Sequence, residues 1–86
     1  MQRGWVVSPE YRSAIDAMKN ARTELGISQR ELARRLGKHP SWINKVEQLE
    51  RRLDILEFIA ISRAIGVAEI TLMKRIISAL PTSFQV

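Results

Sequence analysis

Apolar side chains recur along this chain at intervals of three and four residues, which is the spacing of one face of an α-helix. Five segments show the pattern, and glycine, proline or capping residues mark their ends. The pattern therefore predicts an all-α fold, a compact bundle of five helices. The predicted helices run from Pro9 to about Leu25, from Gln29 to Leu36, from Pro40 to Glu47, from Ile55 to Ile65 and from Glu69 to about Ala79.

The second and third helices are joined by signals typical of a tight turn. Ser28 and Glu31 form an S-x-x-E capping box that starts the second helix. Gly37 suits the left-handed position that ends this helix. Pro40 suits the first turn of the third helix, where its missing N–H costs nothing.

The spacing of small and aliphatic residues across this turn is that of a helix-turn-helix. Counted from Gln29, Ala33 is fifth, where two helices can cross closely, and the glycine is ninth. Ile43 and Val46 are fifteenth and eighteenth, so they share the inward face of the third helix. This spacing predicts two helices packed at a steep angle.

The fourth helix is apolar on more than one face. Asp54 and Glu57 form a second capping box at its start. Ile55 belongs to its main stripe, whereas Leu56 and Ile59 lie off it. Such a helix is predicted to be central or covered on two sides. The stripe predicted to face the core from the first helix comprises Tyr11, Ala14, Ile15, Met18 and Leu25.

The fifth helix carries two apolar stripes, which predict two different contacts. The stripe of Ile70, Met73 and Ile77 is predicted to face the core. A second stripe leaves apolar surface that a monomer of this size cannot easily cover, so we predict a homodimer. The alternative is that the second stripe completes a broad intramolecular core. The predicted interface residues are Leu72, Ile76 and Leu80.

Composition describes one small basic domain. The 86 residues contain 14 Lys and Arg against 9 Asp and Glu, a net charge of +5. Residues 28–52 hold seven of the basic and three of the acidic side chains, so most of the excess lies on the predicted helix-turn-helix and the loop after it. This concentration is typical of a surface that faces phosphates. A solvated charged surface is the alternative.

Other classes of function lack their sequence signals. The chain has no cysteine, which excludes a disulfide framework and suits a reducing cytoplasm. His39 is the only histidine, and neither metal-ligand spacing nor a phosphate-binding glycine loop is present. No apolar run approaches the roughly 18–20 residues of a membrane span, and residues 1–7 lack the organisation of a signal peptide. We therefore predict a cytoplasmic non-enzyme without metal, cofactor, membrane partner or small-molecule effector.

A resemblance to a known family extends well beyond the turn. Arg22 stands before residues 25–29, Leu-Gly-Ile-Ser-Gln. Over residues 12–80 these motifs resemble the Cro and lambda-repressor family of helix-turn-helix proteins, the XRE-like domains. The chain departs from the family at Leu49, where glycine is common, and at Pro40, where a hydrogen-bonding base reader is common. The matching residues that follow Glu47 are Arg51, Asp54, Ile61, Ala64, Ile65, Gly66 and Val67.

The resemblance implies a domain that binds double-stranded DNA, with the third helix in the major groove and the second across the backbone. It implies an ion pair between Arg22 and Glu47 that orients the third helix. Lys45 is expected to donate to guanine, whereas Pro40 offers only apolar contact. The implied base-contacting residues are Pro40, Ser41, Asn44 and Lys45. The implied backbone-contacting residues are Gln29, Arg30, Lys38, Trp42, Gln48, Arg51 and Arg52.

These observations together predict a transcriptional regulator, a small dimeric repressor that reads a palindromic operator. Residues 1–7 are predicted to form an N-terminal arm, residues 8–80 the domain and residues 81–86 a tail. The arm either touches DNA or a partner or folds back, and Trp42 either packs or contacts DNA. A protein-interaction module on the same fold, for example an antitoxin, is the alternative. Salt separates the two, because counterion release weakens only nucleic-acid binding steeply.

Overall fold

A computed structural model describes residues 8–84, and that range contains five α-helices and no strand. The five-helix prediction is confirmed, although Leu25 and Ala79 lie just outside the first and fifth helices. The predicted arm and the last two residues of the predicted tail fall outside the described residues, and residues 81–84 are exposed and non-helical. The helices are α1 (Pro9–Glu24), α2 (Gln29–Leu36), α3 (Pro40–Glu47), α4 (Ile55–Ile65) and α5 (Glu69–Ser78).

The two predicted capping boxes differ in the structure. At α4 the box is complete, because Asp54 accepts from the backbone N–H of Glu57 at 2.7 Å and Glu57 accepts from that of Asp54 at 2.9 Å. At α2 only half of the box forms. Ser28 Oγ accepts from the backbone N–H of Glu31 at 3.0 Å, but two arginines of the same helix hold the Glu31 carboxylate.

One apolar core receives side chains from all five helices. At the close packing of α2 on α3, Ala33 is fully buried and Ile43 is 1% exposed. Both residues therefore occupy the inward positions that the helix-turn-helix spacing predicted. Ser62 of α4 is also fully buried, and its hydroxyl has no hydrogen-bond partner among residues 8–84. That hydroxyl is an uncompensated cost to the core, because it loses water without gaining a protein partner.

Leu25 departs from the predicted core stripe of α1. The helix ends at Glu24, and Leu25 takes ψ of 1° as its C-cap. The helical spacing therefore no longer applies to Leu25, whose side chain is 54% exposed. Ile27, from the connection to α2, is buried instead.

α5 faces the core through the stripe opposite to the predicted one. Leu72 is fully buried and Ile76 is 8% exposed, while Leu80 packs partly buried against the core. The prediction that Leu72, Ile76 and Leu80 form a dimer interface is therefore wrong, because these side chains serve the intramolecular core. Ile70 and Ile77, predicted to be buried, are exposed. The two stripes are similarly apolar, so only the packing of α5 on α1 decides which one is covered.

α4 packs against both α2 and α5, but its cover is less complete than the prediction required. Ile55 and Leu56 are exposed, although Phe58 and Ile61 of the same helix are buried. Ile55 and Leu56 of α4 form an exposed apolar surface together with Ile70 and Ile77 of α5, and we call this surface the α4–α5 face. It borders an open groove of about 390 Å³. The apolar residues that line this groove are Ile55, Phe58, Ile59, Ile70, Met73 and Ile77.

Leu49 occupies the position where glycine is common in similar domains. Its φ is +63°, in the left-handed region, and its side chain is only 5% exposed. An L-residue with a Cβ pays about 1–2 kcal/mol for this conformation. Burial of the leucine side chain offsets that cost, since a buried leucine contributes roughly 1.5–3 kcal/mol. At this position the chain therefore accepts a strained backbone conformation and gains a buried leucine side chain.

This exchange predicts an unusual order of stability for two variants. Both Leu49→Ala and Leu49→Gly remove the buried side chain, but only glycine also relieves the strain at positive φ. We expect Leu49→Gly to be the more stable by about 1 kcal/mol, measured by urea unfolding. In the matched control, Ala60→Gly on the exposed side of α4 should lose about 1 kcal/mol. An alanine variant at position 49 more stable than the glycine variant would contradict the strain argument.

Candidate nucleic-acid interface

α3 presents one apolar face to the core and one polar face to solvent. Ile43 and Val46 are buried, and the polar side chains between them point outward. This division follows from the helical period, because residues three and four apart stack on one side. The exposed polar residues of α3 and its C-cap are Ser41, Asn44, Lys45 and Gln48. The structure thus brings three of the four predicted base-contacting residues, together with Gln48, onto one surface, with Pro40 half-buried at its start.

A buried ion pair attaches α3 to α1. Arg22 donates from Nε and Nη2 to the two carboxylate oxygens of Glu47, each at 2.8 Å, and these side chains are only 7% and 8% exposed. A third donor of Arg22, Nη1, binds the carbonyl of Ile27 at 2.6 Å. The predicted pair is therefore present, and its guanidinium also holds the connection that leads into α2.

Gln29 belongs to this buried network rather than to the open surface. Its Nε2 donates to Glu47 Oε1 at 2.8 Å. The family resemblance implied that Gln29 contacts the DNA backbone, but in this structure its amide N–H is directed at the Glu47 carboxylate. The neighbouring Arg30 is exposed and makes no ion pair or hydrogen bond within residues 8–84.

Two cations lie over the indole ring of Trp42, which is a residue of α3. Lys38 Nζ lies 5.2 Å from the centre of the indole ring, and Arg51 Cζ lies 4.9 Å from it. The ring is half-buried and packs against the core. Cations at this distance from an aromatic face are attracted by its quadrupole. Trp42 therefore organises two of the predicted backbone-contacting residues, one before α3 and one after it.

The charge of Arg51 is largely compensated. Its guanidinium donates to both carboxylate oxygens of Glu57, at 2.9 and 2.6 Å, and to the carbonyl of Arg52. The hydrogen bonds from Arg51 hold the pKa of the Glu57 carboxyl below its usual range, so the pair remains charged at neutral pH. Arg52 is exposed with its guanidinium over the ring of Tyr11, whose hydroxyl accepts from the Leu53 N–H at 2.9 Å.

The arginines at the end of α2 are also paired. Arg34 and Arg35 both donate to Glu31, at 2.6 and 2.8 Å, and lower the pKa of its carboxyl to about 2. Arg35 also donates to the carbonyl of Ala64, which joins α2 to α4. Within the described range, the predicted contact residues that keep an exposed cation without a carboxylate partner therefore include Arg30, Lys38 and Lys45.

His39 is a feature that sequence analysis did not assign to the site. It is the N-cap of α3, and its Nδ1 accepts from the backbone N–H of Ser41 at 3.1 Å. The same nitrogen lies 2.9 Å from Ser41 Oγ. Because Ser41 is a predicted base-contacting residue, the cap directly touches the exposed polar face of α3, which would be the DNA-reading surface. The signal for it was the histidine just before a proline at the first helical position.

Metal-binding clusters and membrane-spanning helices are absent from the part of the chain that the structure describes. No group of three or more His, Cys, Asp or Glu side chains that can hold a metal is found among residues 8–84. None of the helices there has both the length and the apolarity needed to cross a bilayer. The cavity enclosed in the core, about 10 Å³, has room for no ligand larger than a water molecule.

The fold and the exposed polar helix define a helix-turn-helix domain. The helix-turn-helix family model HTH_3 matches residues 18–72. The structure is similar to that of an XRE-family like protein from Pseudomonas syringae pv. tomato str. DC3000, with a TM-score of 0.76 and 39% identity over 84% of this chain and 88% of that chain. No curated protein matches. The chain therefore belongs to the XRE family of helix-turn-helix proteins, which are DNA-binding regulators and not enzymes.

The buried pair predicts a large stability difference between two conservative variants. Glu47→Gln keeps the shape of the side chain but leaves the charge of Arg22 unpaired and buried, which costs on the order of 3–5 kcal/mol. Glu24→Gln removes the partner of Arg75 at the surface and should cost much less. Unfolding in urea, without guanidinium, and followed by circular dichroism, measures the loss of stability in both variants. Equal losses in the two variants would show that the buried pair has no special role.

Proposed function

We propose that this protein is a dimeric repressor that reads a palindromic operator with α3 in the major groove. The observation that carries the proposal is the exposed outer face of α3, which bears Ser41, Asn44 and Lys45 while Ile43 and Val46 anchor its inner face. The major groove admits one such helix and displays a different donor and acceptor pattern for each base pair.

Each residue of the outer face has a distinct chemical capacity. Lys45 can donate to guanine O6 and N7, and Asn44 can pair with adenine or reach a phosphate. Pro40 offers only apolar contact, such as with a thymine methyl. Arg30 lies at the start of α2, and Lys38 lies in the turn between α2 and α3. Both cations suit the phosphates on either side of the groove. Sequence preference then comes from α3, and general affinity from the cations around it.

The α4–α5 face supports the proposed homodimer. Ile55, Leu56 and Ile70 are each about 70% exposed, and Ile77 is 59% exposed. Side chains of this size gain roughly 25 cal/mol per Å² when they leave water. Residues 53–86 carry equal numbers of acidic and basic side chains, so two copies meet there without net repulsion. This face replaces the stripe that sequence analysis had chosen.

A dimer supplies the specificity that a single α3 lacks. One recognition helix reads only a few base pairs, whereas a two-fold pair reads two half-sites about 34–36 Å apart, one duplex turn. Two-fold symmetry in the protein then requires a palindromic operator. Occupancy of such a site excludes other proteins from the same DNA, so repression needs no surface beyond those described.

Lys45 and Arg30 should give different kinds of binding defect. We expect Lys45→Ala to relax the choice at one base pair, at a cost of about 1–3 kcal/mol for the preferred sequence. Arg30→Ala should weaken binding to every duplex alike and make the salt dependence shallower by about one counterion. Selection from random duplexes, followed by titration at several salt concentrations, measures both effects.

The same titrations test the proposed function. Binding that weakens steeply with salt supports a DNA-binding regulator, because phosphate contacts release counterions. If Lys45→Ala lowers affinity for all sequences equally, α3 does not read bases through this residue. If the unmodified protein selects no duplex, operator recognition is wrong, and an interaction module becomes the better assignment.

The dimer proposal predicts the effect of charges on the α4–α5 face. Ile70→Glu combined with Ile77→Glu should yield a folded monomer with much weaker operator binding, since two copies would then repel each other. Leu25→Glu, at a similarly exposed leucine that does not line the groove, is the matched control and should remain a dimer. Analytical ultracentrifugation at tens of micromolar decides, and an unmodified protein that sediments as a monomer without DNA would refute the proposal.

A further inference from the structure

The cap of α3 restricts the hydrogen bonding of a residue on the reading surface. His39 Nδ1 receives the backbone N–H of Ser41 at 3.1 Å and lies 2.9 Å from Ser41 Oγ. Both residues are exposed at the start of α3, where the proposed DNA contacts are made. Two groups of one serine therefore meet the same imidazole nitrogen.

The chemistry of the Ser41 backbone nitrogen, Ser41 Oγ and His39 Nδ1 determines which atom donates each hydrogen bond. A backbone N–H can only donate, so Nδ1 accepts, and neutral His39 carries its proton on Nε2. A nitrogen that bears no hydrogen cannot donate to the serine oxygen. The 2.9 Å contact is therefore a hydrogen bond only with the serine hydroxyl as donor, which shares the single lone pair of Nδ1 with the backbone N–H. With its hydrogen held in this way, Ser41 Oγ can only accept from another molecule.

We propose that His39 is a specificity-determining residue, because it fixes Ser41 as a hydrogen-bond acceptor toward DNA. A free serine hydroxyl donates or accepts and so discriminates weakly between bases. A serine whose hydrogen is held by His39 favours a base that presents an amino group in the major groove, which is adenine N6 or cytosine N4. The inference rests on the proposed placement of α3 in that groove.

The discrimination arises mainly from rejection of the wrong base. Guanine O6 and N7 and thymine O4 are acceptors, so opposite Ser41 Oγ they would place two acceptors face to face. To bind them, Ser41 must withdraw its hydrogen from His39 and rotate. Because a lost hydrogen bond is costly when water is excluded, we expect a preference of about fivefold at this one base pair.

Substitutions at both positions test the inference by selection from random duplexes. The unmodified protein should prefer adenine or cytosine at one position of each half-site. His39→Ala and Ser41→Ala should both lose that preference, and the double variant should lose no more than either single variant. The preference assigned to Lys45 should persist in all of them. Circular dichroism confirms that each variant is folded.

His39→Asp provides a second, capping variant. Aspartate is a favoured N-cap residue, and its carboxylate accepts from both the N–H and the hydroxyl of Ser41. We expect this variant to keep the preference for adenine or cytosine while it binds all duplexes more weakly, since its charge repels phosphates. A guanine or thymine preference at the Ser41 position, or a uniform loss of affinity in His39→Ala, overturns the inference. If the inference about His39 fails but the base preference assigned to Lys45 persists, the proposed function still holds. If no duplex is selected at all, the proposed function and the inference about His39 both fail.

Discussion

The buried pair of Arg22 and Glu47 is the interaction on which the geometry of the domain depends. A charge taken out of water is costly unless a partner and further hydrogen bonds satisfy it. Here Glu47 receives two bonds from Arg22 and one from Gln29, while Arg22 also binds the carbonyl of Ile27. The pair therefore joins α1, the connection to α2, the start of α2 and the end of α3. It supports the packing in which Ile43 and Val46 face the core and the opposite side of α3 faces solvent.

Ion pairing divides the basic residues of the helix-turn-helix region into those with a carboxylate partner and those outside these pairs, although the sequence shows only their summed charge. The ion pairs of Arg34, Arg35 and Arg51 stay within or between helices and the loop. Glu31 is already counted in the net charge of residues 28–52, but Glu57, the partner of Arg51, lies outside that range, so the net charge overstates the positive charge near Arg51. Carboxylates with lowered pKa keep these pairs intact near neutral pH. Arg30, Lys38 and Lys45 are exposed cations that take part in none of these ion pairs.

Sequence patterns predicted the helices and the Arg22–Glu47 pair, because these depend on local spacing and on a family motif. They failed where two answers satisfy the same pattern. Either stripe of α5 is apolar enough for the core, and only the position of α1 selects the one with Leu72. The partners of Gln29 and His39, which are Glu47 and Ser41, did not follow from the sequence, since a polar side chain at a helix start can turn inward or outward. Periodicity carries no information about tertiary partners of this kind.

The loop between α3 and α4 connects the proposed reading surface to the proposed assembly surface. Leu49 anchors its beginning in the core, Arg51 binds Glu57 at the start of α4, and Leu53 binds the hydroxyl of Tyr11 on α1. These contacts hold the five residues from Leu49 to Leu53 at three separate points. In the proposed dimer, the distance between two copies of α3 would depend on this anchored loop. The half-site spacing of the proposed operator would for that reason depend on the loop as much as on the α4–α5 face.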